Sequence, residues 1–446
     1  MSAKPPTSSR HSRHKNSTAP WRRYLRALGP GLVTGASDDD PSGIATYSQA
    51  GASHGFALLW TALLTFPLMA AVQEICDRTA LATGSGLGEL AVKRFGRTGR
   101  SIVIVLVVVL VVANTLNVAA DLVAVGSGMN LLHAGPPWLW ALVAGTAITA
   151  LLVVGSFQRI AVAFKTLSFT LLVYIVVFVI ATHHWGEVLR HTFVPSLTLN
   201  RASLALMVAI LGTTISPYLL FWQSAQRLEE MRADPDGGDQ AVPLTAKGTR
   251  AAVLKERTSR FDVFGGMALS NLVMFAIIAT TADTLHAHHE DNIQSAAQAA
   301  KSLSPIAGHF ASTIFALGFI GSGCLAIPVL AASGSVGLSG LLGKEWGLSQ
   351  APREAPFFYV LVTLGTLGGT ALSLLSVNPI KLLVFVAVIN GVTAAPLLFV
   401  VMRISSSREL MGSYVNGHLA STLGWATATI MAVAAIALFV TGGVSF

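Results

Sequence analysis

Three consecutive carboxylates interrupt the first hydrophobic stretch of the sequence. Asp38, Asp39 and Asp40 lie in the run GPGLVTGASDDDPSG, directly before Pro41 and close to Gly43. A carboxylate at the centre of a membrane-spanning helix costs roughly 2.5–3.5 kcal/mol, and Pro and Gly remove backbone hydrogen bonds that hydrocarbon cannot replace. The stretch therefore predicts a broken helix that faces protein or water. Carboxylates and freed carbonyl oxygens in such a break are suited to binding a cation.

A second stretch, LGTTISPYLLFWQ, shows the same kind of interruption. Gly212, Thr213, Ser216 and Pro217 break an otherwise apolar segment. A single Pro in a membrane helix usually marks only a kink, whereas two Gly/Pro-interrupted segments at matching positions of two halves indicate a midplane site between inverted repeats. We expect the two breaks to meet at one metal site. Its residues are predicted to be Asp39, Asp40, Gly43, Thr213 and Ser216.

The three acids cannot all face one ion, because neighbouring residues on a helix point about 100° apart. We expect Asp40 to be the ligand and the other acids to attract the cation. For Asp121, a structural role beside Asn114 and a role in the ion path are both open. Asn390 either lines the vestibule or satisfies a neighbouring helix break. The residues predicted along the pathway are Asp38, Asp121, Tyr218, Gln223 and Asn390.

Composition places these stretches in an all-α membrane protein. The 446-residue chain is 53% hydrophobic and 11% charged, and its mean hydropathy is +0.64, values typical of a polytopic membrane protein. The net charge of +8 comes from basic residues in the N-terminal tail and in alternate loops, which encodes membrane orientation rather than nucleic-acid binding. Cys76 and Cys324 are far apart in apolar runs, so a disulfide framework and a thiolate cluster are excluded.

The elements that must position the two breaks are about eleven transmembrane helices, since each span needs about 20 apolar residues. We expect two inverted repeats of five helices, at about 25–185 and 200–403, and an extra helix at about 420–442. The transporter domain is residues 25–446, and residues 1–24 form a disordered basic tail. The predicted spans are roughly 29–51, 55–76, 100–126, 136–155, 162–182, 203–225, 263–283, 308–335, 356–377, 380–402 and 420–442.

The loops predict the orientation of the chain. Lys and Arg are concentrated in every second loop, whereas HAHHEDNIQ, one of the intervening loops, carries little positive charge. By the positive-inside rule this places the N-terminus in the cytoplasm and the C-terminus outside, in a plasma (inner) membrane. The loop at 228–262 is interpreted as a cytoplasmic connector with a short amphipathic helix. Glu74 and Asp77, with Arg78 beside them, are interpreted as a structural pair or as the lining of an exit.

Three stretches resemble the NRAMP family of divalent metal transporters. GPGLVTGASDDDPSGIATYSQAGASHGFALLW is similar to the first two helices of that family, LGTTISPYLLFWQ to its sixth helix, and RELMGSYVNGH to the link before its last helix. The resemblance runs from about residue 25 to the C-terminus. It implies a LeuT-like fold with eleven helices, inverted five-plus-five repeats and broken helices 1 and 6. It also implies transport of divalent metal ions by alternating access, without a cofactor.

The site residues depart from the family pattern. Asp40 and Pro41 match its Asp-Pro, but Gly43 stands where a ligand Asn is usual and Ser216 where a thioether Met is usual. Loss of the thioether favours hard ions, such as Mg²⁺ or a broad divalent range including Mn²⁺, and the family contains a magnesium-transporting branch. The remaining differences are Ser42 for Gly, Tyr218 and Gln223 for two His, Ala124 and Asn114 for two Glu, and Phe357 and Phe358 for paired Arg.

Because the replaced His and Glu are the titratable groups of the family's proton path, we predict weak or absent proton coupling. Two other functions remain open on the same fold. One is transport of a small organic cation or amino acid, with Tyr218 and Trp222 as part of an aromatic cage. The other is a membrane metal sensor without transport. An enzyme is not expected, since no nucleophile and base, phosphate loop or catalytic metal spacing is found. The predicted partners are the cation and the lipid bilayer, with no nucleic acid and no protein.

Overall fold

The computed structural model describes residues 29–155, 166–167, 169–196, 200–234, 241–301, 311–375 and 378–441. Every regular element within these ranges is a helix. The expected basic tail, residues 235–240 of the predicted loop at 228–262 and the first part of the fifth span lie outside them. The helices are α1 (Pro30–Asp38), α2 (Pro41–His54), α3 (Trp60–Thr83), α4 (Leu87–Leu131), α5 (Pro137–Val154), α6 (Leu172–Ala181), α7 (Trp185–Phe193), α8 (Arg201–Thr214), α9 (Pro217–Ala233), α10 (Thr249–Thr284), α11 (Ala296–Lys301), α12 (Ala311–Leu341), α13 (Pro356–Ser373), α14 (Pro379–Ser405), α15 (Arg408–Met411) and α16 (His418–Val440).

Both expected helix breaks are present, and the backbone dihedral angles at the two breaks are similar. At the first break Asp39 has ψ 51°, and Asp40 is then extended at φ −66° and ψ 170°. At the second break Ile215 has ψ 54°, and Ser216 is then extended at φ −67° and ψ 130°. A Pro begins the next helix each time, where its missing N–H would be unpaired in any case. The prediction of broken helices 1 and 6 is confirmed.

Each of the eleven expected spans contains helix. Within the described ranges, eight helical segments are long and apolar enough to cross a membrane, or nine if the bent pair Pro41–Leu58 and Trp60–Thr83 counts as one span. Two boundaries differ from expectation around the predicted loop at 228–262. α9 continues to Ala233 and α10 already begins at Thr249. A hydropathy window finds the part of a helix that lies in hydrocarbon, so it misses charged turns beyond the membrane.

The first halves of the two broken helices pack on different neighbours. α1 lies against α10, and α8 lies against α14. At both contacts glycines let the backbones touch, since a Cβ on Gly35 would collide with the backbone of Gly266 and a Cβ on Gly212 would collide with the backbone of Gly391. α4 and α12 form the most extensive helix pair. Small residues thus hold the half-helices close to the helices that flank the breaks.

Candidate cation-binding site

The first break buries all three acids. Asp38 and Asp39 are fully buried and Asp40 is 1% exposed. The carboxylate of Asp40 is the N-cap of α2, because its Oδ1 accepts hydrogen bonds from the Gly43 amide at 2.8 Å and from the Ser42 hydroxyl at 2.5 Å. The helix start therefore fixes the direction of the Asp40 side chain. Gly43, expected among the metal ligands, contributes the N–H that orients Asp40.

The second break supplies hydroxyl and carbonyl oxygens. The Ser216 hydroxyl donates to the carbonyl oxygens of Gly212 and Thr213, both at 2.9 Å. These carbonyls are left without N–H partners by the break, so the serine replaces bonds that the helix cannot make. Ser216 therefore keeps only lone pairs for an ion. The Thr213 hydroxyl oxygen is buried and makes no hydrogen bond within the described structure.

The two breaks meet, as the sequence predicts. The Tyr218 hydroxyl at the start of α9 donates to the carbonyl oxygen of Ser37 at 2.9 Å and lies 3.4 Å from Asp40 Oδ2. On the other side, a Cβ on Gly43 would lie 3.0 Å from the Thr213 hydroxyl oxygen. Asp40, Gly43, Thr213 and Tyr218 thus surround one buried position. Its polar groups are oxygens and one amide.

Asp38 and Asp39 do not share the hydrogen-bond partners of Asp40. Asp38 Oδ2 accepts a hydrogen bond from the Ser270 hydroxyl of α10 at 2.8 Å. Its Oδ1, and both carboxylate oxygens of Asp39, are buried and receive no hydrogen bond from the described residues. The expectation that the three acids cannot all face one ion agrees with this geometry, because Asp38 and Asp39 lie near Ser270 and Asp40 is held by Ser42 and Gly43. Consistently, the described ranges contain no group of three or more His, Cys, Asp or Glu arranged around one metal position.

Asp121 of α4 lies close enough to Asp40 for the two carboxylates to interact electrostatically. Both of its oxygens are buried, and no described group donates a hydrogen bond to them. The Asn114 amide, expected beside it, instead donates to the Leu330 carbonyl oxygen at 2.9 Å and to the Ser333 hydroxyl at 3.0 Å. Asn114 therefore ties α4 to α12 and leaves Asp121 facing the break.

Asn390 has a partner that sequence reasoning missed. Its side-chain amide and that of Asn117 exchange two hydrogen bonds, at 3.0 and 3.2 Å. Both residues are fully buried, so the amide pair joins α14 to α4. Neither expected role of Asn390, lining a vestibule or satisfying a helix break, describes this contact. The only indication of this pair in the sequence is that a second polar residue, Asn117, lies one helical turn from Asp121.

Gln223 lies away from the breaks, in a buried charged cluster. Its amide donates to Asp77 Oδ1 at 2.7 Å. The same oxygen accepts from Arg227 Nε at 2.5 Å, and Arg227 Nη2 contacts Asp262 Oδ2 at 3.1 Å. Asp77 therefore pairs with Arg227 of α9, whereas Glu74 is the partner of Arg78, at 3.0 Å. The structural interpretation of Glu74 and Asp77 agrees with these pairs, although Asp77 has a different partner.

Asp262 links this charged cluster to the broken helix. Its carboxylate accepts hydrogen bonds from the backbone amides of Gly29 and Gly31, both at 2.8 Å, and of Leu32 at 3.2 Å. These are unpaired amides of the first turn of α1, where the helix dipole favours a negative charge. Asp262 and Arg227 were not singled out from the sequence, because their partners are remote in the chain.

One titratable contact lies outside the membrane-spanning helices. His184, between α6 and α7, contacts Asp283 Oδ1 through its Nδ1, and the backbone amide of His183 donates to Asp283 Oδ2 at 2.7 Å. The hydrogen bond that the ring donates to Asp283, and then the charge of that carboxylate, raise the pKa of His184. In the loop after α10, His286 and His288 have their Nδ1 atoms 2.8 Å from the Ala52 carbonyl and 2.6 Å from the Thr284 carbonyl.

An all-helical chain in which two unwound helices meet at a buried carboxylate has the architecture of a membrane transporter with broken helices. The comparisons with known proteins make this class more specific. Residues 31–441 match the family model described as natural resistance-associated macrophage protein-like (Nramp). The chain therefore belongs to the Nramp family, so it is an integral membrane transporter and not an enzyme, as the sequence predicted.

Characterised relatives and solved structures agree with this family. A protein of Acidiphilium cryptum named divalent metal cation transporter MntH is 27% identical over 406 residues, covering 89% of this chain and 86% of that protein. A protein of the same name from Ralstonia nicotianae is 28% identical and covers 93% and 90%. The crystal structure of a manganese transporter from Eremococcus coleocola shares the fold, with a TM-score of 0.72 at 17% identity, covering 94% of this chain and 87% of that one.

Proposed function

We propose that this chain carries divalent metal cations across the membrane by alternating access, with Asp40 as the charged ligand. The curated relatives are named divalent metal cation transporters, and this chain covers most of their length. The observation that carries the proposal is the meeting of the two breaks, in which the Tyr218 hydroxyl of one break lies 2.9 Å from the Ser37 carbonyl and 3.4 Å from the Asp40 carboxylate of the other. A negative charge and unwound backbone at one buried position suit a small cation.

The predicted ligands favour hard ions. Asp40, Thr213 and Ser216 offer only oxygen atoms, which suit Mg²⁺, Mn²⁺ and Ca²⁺ better than soft metals. Ser216 already donates its hydroxyl hydrogen to the backbone, so it acts through oxygen lone pairs. We infer that the chain accepts Mg²⁺, or a broad divalent range that includes Mn²⁺.

Transport is proposed to be weakly coupled to protons or uncoupled. Gln223 and Asn114 are amides at two positions where the family resemblance places titratable groups. Both donate hydrogen bonds, Gln223 to Asp77 and Asn114 to Leu330 and Ser333. A proton relay needs groups that titrate along the path. The driving force is then the ion gradient and the membrane potential, which is worth about 4.6 kcal/mol per 100 mV for a divalent ion.

A panel of Mg²⁺, Mn²⁺, Ca²⁺ and Zn²⁺ tests this proposal in proteoliposomes with a pH probe inside. We expect uptake of Mg²⁺ and Mn²⁺ that follows an imposed membrane potential and leaves the internal pH unchanged. A strong preference for Mn²⁺ with acidification of the interior would contradict the hard-ion and uncoupled proposals. Absence of transport for every divalent ion would favour an organic cation as the substrate, and binding without transport would favour a sensor.

A further inference from the structure

Four buried carboxyl groups lie around the first break. Asp38, Asp39, Asp40 and Asp121 are each at most 1% exposed. Among the described residues none of the four forms an ion pair with Lys, Arg or His, and the charges that act on them are those of one another. An unpaired carboxylate in a low-dielectric interior is costly. When all four carboxyl groups are ionised, a divalent ion at Asp40 balances two of the four charges and two negative charges remain.

The oxygens without partners are gathered on one side of the break. Asp38 Oδ1, Asp39 Oδ1 and Asp39 Oδ2 are buried and receive no hydrogen bond from the described residues. Ser270 of α10 is near both carboxylates, and its one hydroxyl hydrogen goes to Asp38 Oδ2 at 2.8 Å. The charge of Asp39 also acts on Tyr174 of α6, whose hydroxyl is buried and likewise unpaired in the described structure.

This side is separate from the Asp40 position. Asp40 is held by the first turn of α2 and by Tyr218 of α9, whereas Asp38 and Asp39 face α10 and α6. In addition, α1 ends at Asp38, so the negative end of its dipole points at the unpaired oxygens. Half-helix C-termini of this kind attract cations in transporters with broken helices.

We propose that Asp38, Asp39 and Ser270 form a second cation site, distinct from Asp40, that binds one monovalent metal cation such as Na⁺. A proton on Asp39 would supply a single O–H, which can satisfy only one acceptor. A metal ion contacts all three unpaired oxygens together with a lone pair of the Ser270 hydroxyl, and oxygen ligands suit hard cations. The site rests on the proposed function, since it balances one of the two negative charges that a divalent ion at Asp40 leaves over.

The test uses the full-length protein in detergent at fixed pH and ionic strength, with N-methyl-glucamine replaced stepwise by Na⁺. Bound Na⁺ stabilises the folded state, so we expect a saturable rise in the unfolding temperature of about 2–4 °C. Asp39→Asn is expected to remove this rise. Asp40→Asn is expected to keep it while losing the stabilisation by Mg²⁺ or Mn²⁺. Asp291→Asn, in an exposed loop, is the matched control and should keep both responses.

A second variant covers the case in which Asp39→Asn does not fold. Ser270→Ala removes the hydroxyl beside Asp38, and we expect it to weaken equilibrium binding of ²²Na⁺ about tenfold, from one site per chain in the unmodified protein. Absence of any Na⁺ response in the unmodified protein would overturn the second site. So would a Na⁺ response that Asp40→Asn abolishes and Asp39→Asn keeps. A missing response to divalent ions, by contrast, would overturn the proposed function itself.

Discussion

The Tyr218 hydroxyl lies 2.9 Å from the Ser37 carbonyl oxygen, and this hydrogen bond joins two helix breaks whose residues are 181 positions apart. Ser37 lies in the last turn of α1, where carbonyls lack intrahelical partners. Tyr218 lies in the first turn of α9 and is fully buried. One side chain therefore satisfies the backbone of the first broken helix and also approaches its carboxylate.

Tyr218→Phe is expected to destabilise the protein by about 1–3 kcal/mol, because the buried Ser37 carbonyl loses its donor. Divalent affinity should also fall, since Asp40 loses a neighbouring hydroxyl. Thermal unfolding and equilibrium metal binding measure the two effects. Tyr359→Phe is the matched control, because it removes a hydroxyl that donates to a backbone carbonyl, that of Gln350, at the same distance of 2.9 Å. The control should leave metal binding unchanged, and equal effects of both variants on metal binding would contradict the prediction.

Asp40→Asn is expected to abolish uptake of divalent ions into proteoliposomes while the protein still folds. The amide keeps an oxygen that can accept the Gly43 N–H bond, so the N-cap of α2 survives, whereas the negative charge for the ion is lost. Uptake of radioactive or fluorescent metal tracers measures the result. Asp291→Asn, in the exposed loop, is the control. Uptake by Asp40→Asn at the rate of the unmodified chain would exclude Asp40 as the ligand.

Gly43→Ala is expected to destabilise the protein by about 1–3 kcal/mol through overpacking. The new Cβ would lie 3.0 Å from the Thr213 hydroxyl oxygen and 3.3 Å from the Tyr47 ring. Thr213→Ala removes the nearer atom, so the double variant should be less destabilised than the sum of the single variants. Chemical or thermal unfolding of all four proteins gives this difference, and strictly additive effects would show that the two breaks do not touch at this point.

Arg227→Gln is expected to cost about 3–5 kcal/mol of stability, since it leaves two buried carboxylates without a cation. Asp77 and Asp262 are 3% and 0% exposed in their side chains. Arg190→Gln is the control, because Arg190 and its partner Glu187 are exposed by 69% and 50% and such surface pairs contribute at most about 1 kcal/mol. Unfolding temperatures compare the two variants, and a similar small loss for both would contradict the buried pairing.

The contact of His184 with Asp283 is expected to make part of the stability depend on pH. Asp283 raises the pKa of His184, so the contact stabilises the fold fully below the unfolded-state pKa of about 6.5 and loses this contribution as the pH rises through the higher folded-state pKa. The difference in unfolding temperature between the unmodified protein and His184→Ala should therefore shrink from pH 6 to pH 9. His183→Ala is the control, since His183 reaches Asp283 mainly through its backbone amide. A difference that stays constant with pH would refute the prediction.

The breaks could be predicted from the sequence because their causes are local. Pro41, Pro217 and the neighbouring glycines exclude a continuous helix wherever they occur, and three acids in an apolar run require a protected environment. The family resemblance and the fold class follow from the same stretches. The helix that contains the span predicted from 263 begins fourteen residues earlier, at Thr249, because polar helical turns precede the apolar part of α10.

Contacts between distant helices could not be predicted. Nothing in the sequence indicates that Asn390 exchanges amide hydrogen bonds with Asn117 or that Asp77 prefers Arg227 to the adjacent Arg78, because one sequence gives the face of a helix but not its neighbour. The direction of Asp38 at the first break is also set by such a neighbour, namely Ser270 of α10.

The close packing of α1 on α10 has a consequence for how the protein opens. Backbone contact at Gly35 and Gly266 leaves no side-chain layer that could act as a sliding surface, and Asp262 holds three amides at the tip of the helix. Small displacements would break these amide bonds before creating a passage. We therefore expect any opening on this side to break these contacts together, as a release of the whole half-helix rather than a gradual widening.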